Sequence, residues 1–211
     1  ASDVYKRQGV GGPQYAAADE YLSGNVRAKL RIAELTAASD PSYIPNIEAL
    51  RCAQPPDLGA AEISVRLGAT WIPADDVREF VLHLLDPPYW VREQVAVRYS
   101  AATAQWRIEG KGRDGSNVRA LSTYGTRRMS AYHIIEETLN LKDARVVDYV
   151  EDENGKKKPV LNKKETAVAL AKQEAIKAAF KEWVFSDQAR RERLVAAYNE
   201  RFNAIRPREF D

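Results

Sequence analysis

Apolar positions recur along the chain with two different periods, and these divide it into helical and extended stretches. Behind Ser23, a capping type of residue, Val26, Leu30, Ala33 and Ala37 fall on one side of a helix running to about Ala38. Asp40-Pro41 ends it, because proline pushes the preceding residue out of the α region. A short helix over Ile44 to Ala53 follows, closed by Pro55-Pro56. The stretch EISVRLGATWIP is apolar and partly β-like, with a turn at Gly68. Pro73 suits a first helical turn, and beyond it Val77, Phe80, Val81, Leu84 and Leu85 recur at helical spacing.

The period then shortens to two. Val95, Val97 and Tyr99 alternate with Gln94, Ala96 and Arg98, and Trp106 and Ile108 alternate with Arg107 and Glu109. With AATA between them, these runs predict an antiparallel hairpin. A Gly-rich basic loop, GKGRDGSN, leads to a helix marked by Ala131, Ile134, Ile135, Thr138 and Leu139 and ending near Asn140. A second hairpin, RVVDYVEDENGKKKPVLN, turns at Asn154-Gly155, the pair best suited to positive φ. The end of the chain is helical again. Ile176, Ala179, Phe180, Trp183 and Val184 share a face, and Leu194, Ala197, Tyr198, Phe202 and Ile205 nearly repeat that spacing.

The pattern predicts an α+β chain: N-terminal helices, two antiparallel β-hairpins with an intervening helix, and a C-terminal helical pair. Three regions are expected: mainly helical over 9–91, β-rich with one helix over 92–161, and helical over 162–211. Residues 1–8, ASDVYKRQ, resemble translated adapter sequence at the front of gene fragments and are set aside as a non-native leader. Met129 is the only methionine and the chain stops directly after RPREF, so a piece of a longer protein is expected.

Composition narrows the function classes. At 211 residues, 45% hydrophobic and 29% charged, the chain has the make-up of an ordinary globular protein with a real core. No apolar run of about 18 residues occurs, so no membrane partner is expected. The single cysteine, Cys52, excludes an internal disulfide framework and fits a reducing bacterial cytoplasm. His83 and His133 alone cannot supply a Cys/His zinc cluster. Net charge is +2 but uneven: residues 1–104 hold 10 Lys/Arg against 13 Asp/Glu, and residues 105–211 hold 22 against 17. The second half is therefore the better candidate for an anionic partner.

One motif points to catalysis. LDPPYW contains Asp86-Pro87-Pro88-Tyr89, the tetrapeptide with which amino-group DNA methyltransferases hold an exocyclic amine and stack a flipped base. Such an enzyme needs the motif at the end of a parallel strand, with a Gly-rich cofactor loop elsewhere. Here VREFVLHLL before it has a helical period, and the Gly-rich candidate GVGGP lacks the Phe-x-Gly-x-Gly form. The expectation is a helix stop with two aromatics packing beneath it. No phosphate loop of G-x-x-x-x-G-K-[ST] form exists, and His133 in AYHII suits a structural role. No catalytic, cofactor-binding or metal-ligating residue is assigned.

Binding signals are stronger. Tyr124, Thr126, Arg127 and Arg128 place two guanidiniums beside a hydroxyl and an aromatic, a set that can hold a phosphate at a helix entrance. Lys156, Lys157 and Lys158 project from the second hairpin, Lys163 and Lys164 open the next helix, and Arg190 and Arg191 form a third cluster with Arg193. The bland alternative for each is a solvated face, since Glu151, Asp152 and Glu153 oppose the lysines and Glu192 interrupts the arginines. Phe180, Trp183, Tyr198 and Phe202 are candidates for packing against another domain.

Several longer peptides carry a resemblance. ADEYLSGNVRAKLRIAE, AAEISVRLGATWIP, TYGTRR with AYHIIEETLNLKD, EDENGKKKPVLNKKET and RRERLVAAYNERFNAIRPREFD together resemble a segment of very large DNA methylase–helicase fusion proteins. These are carried by bacterial conjugative elements and phages, and some are linked to antirestriction. The resemblance spans about Ala18 to Asp211. It implies an adenine-amino methyltransferase domain upstream, using S-adenosylmethionine, and a Swi/Snf-type helicase domain using ATP and Mg just downstream. It implies that this chain is the connecting region between them, carrying neither cofactor site. Double-stranded DNA and the two missing domains are the partners it implies; a purely structural interdomain scaffold is the alternative, and a free-standing methyltransferase the third reading.

Overall fold

The structure is a computed structural model and describes residues 4–9, 12–151, 153 and 155–209. In chain order the elements are β1 (Val4–Gly9), β2 (Gly12–Ala17), α1 (Ala18–Tyr21), β3 (Gly24–Asn25), α2 (Val26–Ala37), α3 (Ile44–Cys52), α4 (Ala74–Leu85) and α5 (Tyr89–Arg92). They continue with β4 (Ala96–Ser100), β5 (Gln105–Glu109), α6 (Ala131–Leu139), β6 (Val147–Glu151), β7 (Lys157–Leu161), α7 (Lys163–Val184), α8 (Gln188–Phe202) and β8 (Ile205–Arg206). The fold is α+β, and each strand pair is antiparallel: β1 with β2, β3 with β8, β4 with β5, and β6 with β7.

The chain forms two compact units, Ala1–Ile63 with Glu192–Asp211, and Ser64–Arg191. The first unit joins two segments distant in sequence, which packing brings together. The first boundary falls near Ile63 and the second within α8.

In the first unit Ala16, Tyr21, Val26, Ala33, Tyr43 and Leu50 form the core, with Tyr5, Leu30 and Ile47 packed against it. The cap of α2 is Asn25, whose side chain accepts the Ala28 N–H at 2.9 Å. Ser23 instead donates to the Glu20 carbonyl. The described part of the segment set aside as a leader is strand: Tyr5 stacks on Tyr21 at 5.3 Å and Lys6 pairs with Asp40 at 2.7 Å. Helix α8 ends at Phe202, so Ile205, expected on its apolar face, lies in β8 opposite Asn25. Besides the apolar Leu194, the buried residue of α8 here is polar. Buried Asn199 accepts the Leu58 N–H at 2.8 Å and donates to the Leu58 carbonyl at 2.9 Å.

The second unit follows the helical and alternating patterns closely. Val77, Phe80, Val81, Leu84 and Leu85 of α4 are buried, as are Val97, Trp106 and Ile108 from one face of the β4–β5 hairpin. Helix α6 brings Ile134, Ile135 and Leu139 to the same core, and α7 brings Ala169, Ile176, Phe180 and Val184. Phe80 meets Phe180 edge-on at 5.0 Å and Trp183 at 5.4 Å. The stretch EISVRLGATWIP is a series of turns rather than a strand. Gly68 has φ +94, and a Cβ there would come within 2.5 Å of the Leu139 carbonyl oxygen, so this turn lies directly on the end of α6. In the second hairpin Gly155 has φ +72, as the turn requires, while Asn154 lies outside the described residues. No helix among the described residues is long and apolar enough to cross a membrane.

Candidate nucleic-acid interface

The loop carrying Arg127 and Arg128 is built by its neighbours. A π-helical turn at Arg119–Thr123 leads into it, and Gly125 fits only because it lacks a side chain: a Cβ would stand 2.0 Å from the Ala120 carbonyl oxygen and 2.6 Å from the Ala131 nitrogen. Thr126 is buried, and its hydroxyl accepts the N–H groups of Arg128 at 3.2 Å and Met129 at 3.0 Å. That hydroxyl is therefore engaged in shaping the loop. Tyr124 is half-buried.

Arg128 ties the loop to two other elements. Its guanidinium contacts the Asp148 carboxylate at 2.7 Å and the Val147 carbonyl at 3.1 Å. The other oxygen of Asp148 accepts from Asn162 at 2.8 Å, and Asn162 is the N-cap of α7, accepting the Glu165 N–H at 3.0 Å. One carboxylate thus joins the arginine loop, the start of β6 and the N-terminus of α7. The Arg128 hydrogen bond, with that from Asn162, holds the Asp148 pKa below its ordinary value. Lys172 of α7 adds a bond to the Thr123 carbonyl at 2.9 Å.

Around this junction stand exposed cations. Among the described residues the Arg127 side chain finds neither ion pair nor hydrogen bond, and the same holds for the side chains of Lys163 and Lys164, the first two residues of α7. Positive charge there opposes the helix dipole, so local helix stability does not account for two lysines. The site also takes in a residue that sequence reasoning passed over: Arg145 is exposed, and its neighbour Val146 bonds Asn162 and Thr166 of the α7 start. Only its position beside the alternating run of the hairpin was visible in the sequence.

The hairpin lysines are exposed on β7 and its approach, Lys156, Lys157 and Lys158, with Lys157 opposite Glu151 and Lys158 opposite Val150. The third cluster is otherwise disposed. Arg190 lies 3.6 Å over the Trp183 ring and bonds the carbonyls of Trp183 at 2.7 Å and Val184 at 2.9 Å, while Arg191 bonds that of Phe185 at 3.2 Å. Both cover the C-terminal carbonyls of α7, where a guanidinium complements the dipole. Phe180 and Trp183, proposed for packing on another domain, lie in the core of the second unit itself. The Tyr198 and Phe202 rings lie 5.0 Å apart, tilted by 45°, in the first unit, and Phe202 stays 52% exposed.

The Asp86-Pro87-Pro88-Tyr89 stretch does stop a helix: Asp86 has φ +44 and bonds back to the Leu82 carbonyl. Its aromatics do not pack beneath that helix, however. Tyr89 is 74% and Trp90 56% exposed. His133 is exposed as well, with Nδ1 2.9 Å from the Ser130 hydroxyl; partial desolvation of its ring and the nearby Lys111 ammonium lower its pKa. Among the described residues no three His, Cys, Asp or Glu side chains gather as a metal site would require.

The class defined so far is an α+β protein whose second unit ends in a cationic junction of loop, hairpin and helix N-terminus. Residues 66–204 match the model of a domain of unknown function, DUF8437, and the chain belongs to that family. The matched span takes in almost all of the second unit and continues along α8. No curated protein and no solved structure matches the chain.

Proposed function

We propose that this chain is a non-catalytic accessory module that contacts the backbone of double-stranded DNA through the cationic end of its second unit. The observation that carries the reading is the junction at Asp148, beside which Arg127, Lys163 and Lys164 stand exposed and unpaired among the described residues. Phosphates there would meet three cations and the positive end of a long helix, the arrangement that suits an anionic backbone. Arg145 and the hairpin lysines extend the same charge. The resemblance to methylase–helicase fusions gives the module its proposed setting, between a methyltransferase using S-adenosylmethionine and a helicase using ATP and Mg. It would seat the duplex and couple it to the ATPase through the C-terminal helices.

The test is fluorescence anisotropy of a labelled duplex titrated with the full chain at several salt concentrations. Wild type should bind weakly and with a steep salt slope. Replacing Arg127, Lys163 and Lys164 together by alanine should weaken binding at least about tenfold and reduce the slope of log K against log salt by about 2–3. Unchanged binding, or binding insensitive to salt, would defeat the proposal. A structural scaffold is the second reading, supported by the exposure of Phe202 (52%) and Ile205 (71%) in the first unit. On that reading the triple variant is silent.

A further inference from the structure

The turn after α4 is held firmly although its aromatic side chains face water. Asp86 takes a left-handed conformation at the position where glycine is the common choice. Pro87 and Pro88 fix the next two φ angles. Arg92 reaches back from the end of α5 to the Pro87 carbonyl at 2.9 Å and to the Asp86 carboxylate. Arg78 bonds the carbonyls of Arg92 and Val95, both at 2.7 Å, and Gln94 bonds that of Trp90 at 2.9 Å. Val91, fully buried, anchors the turn from below. The result is a braced pedestal carrying two aromatic rings, Tyr89 and Trp90, edge to face at 5.1 Å and largely in solvent.

The two ends of this turn, Asp86 and Arg92, also border an open cavity of about 520 Å³, lined with them by Glu79, Leu82, His83 and Arg119. Its charges fix the kind of occupant. Asp86 is neutralised by Arg92, and Glu79 lies 3.9 Å from the Arg190 guanidinium. The Arg119 side chain is exposed, and among the described residues its guanidinium bonds only the neutral Leu84 carbonyl, at 3.3 Å, so the rim keeps a positive charge. An occupant that offers flat faces to two rings and a negative charge to Arg119 is a nucleic acid with unstacked bases. In a duplex the base faces are already covered by their neighbours, so single-stranded nucleic acid is the form that fits. We infer that Tyr89 and Trp90 form a stacking platform for single-stranded nucleic acid, with Arg119 meeting its backbone. This site is separate from the duplex contact proposed at Asp148 and does not depend on it.

The probe is an oligothymidylate added to the full chain. Of the four tryptophans, Trp106 and Trp183 are buried and Trp90 is the most open. Stacking should therefore quench tryptophan emission with the wild type and leave the Trp90→Leu protein unquenched. By anisotropy with a labelled oligothymidylate, Tyr89→Ala and Trp90→Leu should each weaken binding about tenfold or more, and Trp90→Phe should retain most of it. Arg119→Ala should weaken binding and flatten its salt dependence. These substitutions are at exposed positions, and unchanged thermal unfolding would show the fold intact. Absence of quenching by the single strand, or equal binding by Trp90→Leu, would overturn the inference and leave the rings as a protein-docking site. Loss of duplex binding in the Arg127/Lys163/Lys164 variant with quenching retained separates the two sites. Equal quenching by a blunt duplex of the same length would also overturn the single-strand assignment.

Discussion

Replacing Gln173 by leucine should remove the polar brace between α7 and the segment that follows α6. Gln173 is fully buried; its Oε1 accepts the Ala144 N–H at 3.2 Å, and its Nε2 donates to the Lys142 carbonyl at 2.8 Å and the Thr138 hydroxyl at 3.0 Å. Leucine is of similar volume, so packing changes little while three hydrogen bonds vanish. The Thr138 hydroxyl keeps its own bond to the Ile134 carbonyl, which leaves the Ala144 amide and the Lys142 carbonyl without partners. Two stranded groups cost about 1–3 kcal/mol each, and the added apolar burial returns about 1–2 kcal/mol. Midway through those ranges the net loss is about 2–3 kcal/mol, which for a unit of this size lowers Tm by roughly 10 °C. Urea unfolding followed by tryptophan emission reads it directly, because Trp106 and Trp183 are buried in the same unit. A Gln173→Leu midpoint within error of wild type would refute the reasoning and mean that the two backbone groups find other partners.

Three further outcomes are expected. Gly125→Ala forces a Cβ against the Ala120 carbonyl and the Ala131 nitrogen, and should cost about 1–3 kcal/mol in thermal unfolding while displacing the loop that carries Arg127. Asn199→Ala in the first unit leaves the Leu58 N–H and carbonyl unmatched, a loss of about 2–4 kcal/mol by urea titration. The third concerns acid. The folded pKa of Asp148 lies below its ordinary 3.8, with the Arg128 hydrogen bond as the leading cause, so the unfolded chain takes up the proton first. The stabilisation is present above about pH 4 and is lost as pH falls through the folded value. Wild type should thus lose more urea midpoint between pH 6 and pH 3 than Asp148→Asn does; parallel losses would exclude the linkage.

Much of the architecture was legible in the sequence, because it depends on periodicity. A 3.6-residue repeat of apolar side chains in α4, α6 and α7 and a two-residue repeat in β4 and β5 leave few ways to bury those faces, and they lie inward in the second unit as the spacing requires. Caps were less legible. Ser23 and Asn25 are both capping types two positions apart, and which one caps is settled by where the backbone turns into α2 beside β8. Equally hidden was the polar member of the interior face of α8, Asn199, which is buried along with Leu194 and supplies both a donor and an acceptor to the Leu58 backbone.

For function, the sequence determined which residues carry charge, and tertiary structure decided which of those charges are available. Arg190 and Arg191 look like Arg127 in a row of letters, yet they close the end of α7, while Arg127 stands free on a loop that Thr126, Gly125 and Arg128 hold in place. Phe180 and Trp183 have the composition of a docking surface, yet Phe80 meets both within their own unit. Tyr89 and Trp90 reverse that case: two large aromatics after an apolar helix would ordinarily be buried, but the left-handed Asp86 and two prolines turn them outward. Periodicity is written in neighbours a few residues apart, and a sequence displays it. Whether a side chain is engaged or open depends on partners such as Asp148 and Asn162, brought together only when the chain has folded.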